Sequence, residues 1–171
     1  MALERGGAAE TALSDPTGGG KDWLTPSEQA VWRRLLAVHA RLMLRLDEDL
    51  RAATGVSLGD YDVLVALDEA PGRSLRMGDL AQRVMLSPSG LTRRIDRLAA
   101  RGLASRRDCP SDGRGSLASL TAEGRQLLAA AAPAHVRSVR RYLLTPVGPG
   151  ALGDLDAALG RICDALDADR C

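Results

Sequence analysis

The spacing of the apolar residues changes abruptly at Gly102, and few folds accommodate such a change in a short chain. Before it, Ser87-Pro88-Ser89 supplies a cap and a proline for the first turn of a helix. Leu91, Ile95 and Leu98 then recur at i, i+4 and i+7, one buried stripe of a helix running to Arg101-Gly102. After it, residues 103–107 and 116–120 read as two strands flanking the turn-rich Pro110-Ser111-Asp112-Gly113-Arg114-Gly115. The pattern predicts a β-hairpin with a loop long enough to project. Upstream lie a short helix from about Met77 to Val84 and another capped by Ser57, carrying Tyr61, Leu64, Val65 and Leu67 and stopped by Pro71-Gly72.

Longer helices flank this block. Residues 1–22 are small and polar and read as a disordered tail. Thr25-Pro26-Ser27-Glu28 has the spacing of a capped helix start, and Trp32, Leu35, Leu36, His39, Leu42, Met43, Leu46 and Leu50 follow on one face as far as Thr54-Gly55. A helix from Thr121 toward Leu143 should bend at Pro133. The last helix, opening near Pro149, carries Leu152, Leu155, Leu159, Ile162 and Leu166 at spacings of 3, 4, 3 and 4, the seam one helix offers another. Packing within one chain and packing between two copies both fit that seam; its terminal position favours a dimer.

The expected architecture is mainly α with a small β-hairpin wing. A winged helix-turn-helix domain would span residues 55–120, and residues 23–54 and 121–171 would form a helical dimerisation region. With no Phe, two Trp and two Tyr, the core must be aliphatic, and 171 residues suffice for one domain.

Net charge is +1, but the charge is unevenly placed. Residues 83–114 hold eight Arg against three Asp, a surplus of +5, which leaves −4 for the remainder. A basic patch on an acidic protein is the distribution expected where one face meets a polyanion. Opposite its apolar stripe, the helix after Ser87 shows Ser89, Thr92, Arg93 and Arg97, with Arg94 on the flank. Short hydroxyls at a helix N-terminus can bond phosphates or base edges, and guanidinium groups can take guanine edges or phosphates. Such a helix fits the major groove of duplex DNA, about 12 Å wide, while a hairpin reaches the neighbouring minor groove.

Other functions find little here. There is no P-loop, GxSxG, HExxH or strand-borne GxGxxG, so nothing points to an enzyme. His39 and His135 lack ligand-spaced partners, and Cys109, Cys163 and Cys171 form no CxxC pair, so neither a metal nor a cofactor is expected. No apolar run approaches a membrane span, and no export signal is visible; a cytoplasmic protein is expected.

The stretch MGDLAQRVMLSPSGLTRRIDRLAARGLASRRDCPSDGRGSLASLTAEGR resembles the MarR family of bacterial regulators. The family's recognition helix reads SPSxxTRxxDRLxxxGL and its wing RRxxxPxDxRxxxxxLTxxG, and both patterns stand here nearly unbroken. The resemblance implies a homodimer that binds an inverted repeat in double-stranded DNA, commonly a repressor released by a small molecule. It places Ser87, Pro88, Ser89, Thr92 and Arg93 in the major groove and Arg114 in the minor groove, with Asp112 holding Arg114 in place. Arg106 and Arg107 would contact phosphates or shape the wing. Gly113 and Gly115 depart from the commoner, more arginine-rich wing tip and should weaken that contact. The family's usual effector pocket would involve Trp32, His39, Tyr61 and Val65. Cys109, near Arg106 and Arg107, is a candidate redox thiol, although a bystander cysteine is the plainer reading. Alternatives are an activator or dual regulator, a thiol-based sensor of the same fold, or a winged-helix interaction module that no longer binds DNA.

Overall fold

A computed structural model describes residues 23–108 and 116–168. The chain forms two compact units, Met1–Val38 and His39–Cys171.

In the first unit, helix α1 (Pro26–Thr54) begins at a reciprocal cap. The Thr25 backbone N–H donates to Glu28 Oε2 at 2.7 Å, and the Glu28 N–H donates to Thr25 Oγ1 at 3.3 Å. The Thr25 backbone N–H, contributing most, and the Thr25 hydroxyl, which donates to the same Oε2 at 2.8 Å, hold the Glu28 carboxyl below its ordinary range. Val31, Trp32, Leu35, Leu36 and Val38 are all exposed on this part of α1, and Trp32 is 51% exposed.

The second unit is built around α2 (Leu58–Asp68), which is buried on nearly every side through Tyr61, Val63, Leu64, Ala66 and Leu67. Its start is tied to the end of α1. Ser57 Oγ accepts from the Asp60 N–H at 3.1 Å, and Asp47 Oδ1 accepts from the Leu58 N–H at 2.7 Å, so two otherwise orphaned donors are satisfied. Strand β1 (Ser74–Arg76), α3 (Met77–Arg83), α4 (Pro88–Ala100), β2 (Ala104–Asp108) and β3 (Ser116–Leu120) follow. Then come α5 (Ala122–Val139), a π-helical turn over Arg140–Leu144, the short α6 (Thr145–Val147) and α7 (Leu152–Ala168). Leu50, Val56, Leu64, Leu67, Leu80, Leu91, Ile95 and Leu98 form the heart of an aliphatic core.

Helices α3 and α4 end by the same device. The Leu86 N–H donates to the Ala81 carbonyl and the Met85 N–H to the Gln82 carbonyl; Leu103 and Gly102 repeat the pattern with Leu98 and Ala99. Each motif needs one left-handed residue, Gly102 (φ 71°) in one case and Met85 (φ 52°) in the other. These turns set the angle between α3 and α4 and direct the chain from α4 into β2.

The sheet is larger than the hairpin read from the sequence. Its order is β1-β3-β2, all antiparallel, with Ser74 opposite Ser119 and Arg106 opposite Ala118. Ser74 Oγ donates to Ser119 Oγ at 2.7 Å, closing the inner edge. Beyond the sheet, Thr121 caps α5, and a Cβ on Gly124 would overlap the Leu103 carbonyl oxygen, so only glycine lets α5 start against β2. The helix continues through Pro133, and the break in its α-helical ladder comes instead at Arg140–Leu144. Among the described residues no helix is long and apolar enough to cross a membrane.

Candidate nucleic-acid interface

Helix α4 buries Leu91, Ile95 and Leu98 completely, which turns its other side outward. Ser87 is the N-cap, its Oγ accepting from the Gly90 N–H at 3.2 Å, and Pro88 occupies the first turn. Ser89 is exposed beside it, within 3.4 Å of Ser87 Oγ. Thr92 Oγ1 donates to the Pro88 carbonyl at 2.9 Å, which fixes its rotamer and leaves the oxygen lone pairs available. Arg93 is exposed, and no carboxylate among the described residues pairs with it. Ser89 and Arg93, with the half-buried Thr92, are therefore what the first turns of α4 present to solvent.

The remaining arginines divide. Arg94 turns inward, correcting its placement among the groups available to DNA: its side chain is 23% exposed, and Nη1 lies 3.4 Å from Asp60 Oδ1. Its guanidinium covers the backbone at Gly59, where a Cβ would overlap Nη1, and its buried Nε has no hydrogen-bond partner among the described residues. Arg97 stays 58% exposed but is engaged at both ends, Nη2 at 3.4 Å from Asp60 Oδ1 and Nη1 at 3.3 Å from the Arg93 carbonyl. Arg101 Nη1 donates to the Gly55 carbonyl at 3.2 Å. On β2, Arg106 Nε donates to Ser116 Oγ at 3.0 Å with Asp96 at 4.0 Å, and Arg107 is exposed. The tip residues Asp112 and Arg114, and the thiol of Cys109, lie outside the described residues.

Asp60 escaped the sequence reading. Ser57-x-x-Asp60 has the spacing of a helix cap, and that signal is genuine. Nothing local shows that the same carboxylate serves arginines 34 and 37 positions later.

Of the four residues expected to share an effector pocket, Tyr61 and Val65 meet at one cavity. Tyr61 and Val65 line a cavity of about 290 Å³ with Asp68, Glu69, Arg125, Leu128, Ala129 and Ala132. The Tyr61 ring also packs 5.0 Å from the His135 ring, and burial pushes the Tyr61 hydroxyl above its ordinary range. Within the first unit, Trp32 lines a hollow of about 450 Å³ with Leu24, Ser27, Glu28, Val31 and Leu35. His39 is exposed, neither packed on the apolar stripe nor part of either lining. An apolar helical stripe identifies a face that can be covered, but not what covers it. On α7, Leu152, Leu159, Ile162 and Leu166 are exposed and Leu155 is half-buried among the described residues.

Residues 54–115 match the MarR family. The chain is similar to AbsC, a MarR family transcriptional regulator from Streptomyces coelicolor, at 40% identity and a TM-score of 0.78; the match covers 85% of this chain and 98% of that one. It is also similar to Sco3205, a MarR family transcriptional regulator from the same organism whose structure is a complex with DNA. There the identity is 37% and the TM-score 0.79, over 84% of this chain and 94% of that one. YdgJ, an HTH-type transcriptional regulator of Bacillus subtilis, is 29% identical over 92 residues, a stretch that spans 54% of this chain and only 55% of YdgJ. With two-fifths of positions shared across nearly the whole of AbsC and the same winged arrangement of elements, the chain belongs to the MarR family of transcriptional regulators.

Proposed function

We propose that the chain is a homodimeric, sequence-specific reader of double-stranded DNA, acting in the cytoplasm as a ligand-responsive repressor on an inverted-repeat operator. The observation that carries this reading is the outward side of α4. Its buried stripe fixes the helix, its capped N-terminus points a partial positive charge outward, and Ser89, Thr92 and Arg93 stand on the first two turns. The DNA complex of Sco3205 supports it by similarity. Arg107 on β2 would meet phosphates, and Arg114 the minor groove, where narrow A·T-rich DNA concentrates negative potential.

The exposed stripe of α7 supports self-association, because each copy would bury Leu159 and Ile162 against another. The cavity beside Tyr61 and Val65 is the place assigned to an effector, since a molecule wedged between α2 and α5 would shift the core under α4.

Purified protein should retard a duplex from its own promoter region, with affinity falling steeply as salt rises. Arg93→Ala and Arg114→Ala should each weaken that complex while the oligomeric state is unchanged. Wild-type affinity in both variants would remove α4 and the wing as the reading surface.

A further inference from the structure

We infer that Asp60 is a specificity-determining positioning residue: its carboxylate, reaching from α2, withholds one cation of α4 from sequence-independent phosphate contacts. The inference rests on the reading that α4 faces DNA and goes beyond it. Asp60 is not on the reading helix, and its side chain is only 12% exposed. One oxygen, Oδ1, serves both Arg94 and Arg97 at 3.4 Å.

The two arginines have different fates. Arg94 is enclosed, its guanidinium seated on Gly59, so it joins α4 to α2 and offers nothing outward. Arg97 is accessible yet committed. Nη2 faces Asp60 and Nη1 donates to the Arg93 carbonyl, so the guanidinium lies along α4 instead of projecting as Arg93 does. A phosphate oxygen approaching Arg97 must displace a fixed carboxylate and is repelled by it; one approaching Arg93 meets no such competitor. Phosphate contacts supply most sequence-independent affinity, and each adds about −0.9 to the slope of log K against log salt concentration. A cation removed from that pool costs random DNA affinity, and leaves discrimination to Ser89, Thr92 and Arg93.

The experiment compares two duplexes of equal length: one selected by the wild-type protein from a random pool, and a scramble of the same composition. Affinity is read for each across a salt series. D60N, which keeps a carbonyl acceptor for Arg94 but loses the charge, should bind the scramble about three- to tenfold tighter, with a slope steeper by about 0.9. The ratio of selected to scrambled affinity should fall accordingly. Adding R97A to D60N should return slope and ratio to wild-type values. R97A alone, at a side chain 58% exposed, should leave the wild-type slope unchanged, and this arm can overturn the inference even if D60N proves unstable.

A folded D60N with wild-type slope and ratio would overturn the inference. So would a slope that R97A alone reduces by about 0.9, because Arg97 would then already hold a phosphate. R93A keeps the underlying reading separate: if it costs no affinity for the selected duplex, α4 is not the reading element. If it does while D60N changes nothing, only the role of Asp60 fails.

Discussion

The guanidinium of Arg94 occupies the space that a side chain at residue 59 would need, so Gly59 and Arg94 are matched across α2 and α4. The obstacle to Gly59→Ala is the far end of a flexible side chain rather than backbone, so the fold should survive by expelling Arg94. Asp60 would then lose its enclosed partner while staying mostly buried. We expect a loss of about 1–3 kcal/mol in urea denaturation. The Arg94→Ala variant should lose a similar amount, and the double variant should show much less than the sum.

Met85 closes α3 in a left-handed conformation that an L-residue with a side chain adopts at a cost of about 1–2 kcal/mol. Its side chain is largely exposed, so little packing is lost on removing it. Met85→Gly should raise stability by up to about 1 kcal/mol, the gain being reduced by the extra freedom of glycine in the unfolded chain. The corresponding change at Gly102, to alanine, should lower it. Thermal unfolding of the two variants side by side tests the sign of each.

Ser138 Oγ donates a 2.6 Å hydrogen bond to Asp49 Oδ2, joining α1 to α5. That bond is the main reason the Asp49 carboxyl is held below its ordinary range, with Tyr142, Arg141 and Arg45 adding to it against desolvation. Asp47 is lowered similarly, chiefly by the bond from Arg51. A carboxyl lowered on folding stabilises fully above its unfolded value near 4 and loses that contribution as pH falls through the folded value. Melting temperatures measured from pH 7 to pH 3 should therefore show Ser138→Ala less stable than wild type at neutral pH, with the gap closing at the acid end. A gap that stays constant would mean that the bond acts by packing alone.

On α7, Leu159 and Ile162 are about half exposed in the single chain. If they meet a second copy, Ile162→Glu places a charge in an apolar seam and should convert a dimer to monomer in light scattering at micromolar concentration. A parallel exchange at Met85, exposed and outside the residues assigned to dimerisation, would show whether the effect belongs to the seam or to any apolar surface residue.

Much of this was legible in the amino-acid order. The caps at Thr25, Ser57 and Ser87, the left-handed glycines 55 and 102, and the stripe Leu91, Ile95 and Leu98 are local chemistry, decided within a turn or two of the chain. Strands β2 and β3 are long enough to announce themselves. By contrast, β1 is three residues with no alternation to read, and it is a strand only because β3 offers it hydrogen bonds. The positions of Ser89, Thr92 and Arg93 follow from helical period, since a buried stripe defines the opposite face. The direction of Arg94 and the double commitment of Arg97 do not, because both depend on a carboxylate and a missing Cβ supplied by another helix. Local periodicity determined which faces can be apolar and which cationic; tertiary packing alone decided which of those cations are free, because partnership between distant residues is a matter of distance in space and not of spacing along the chain.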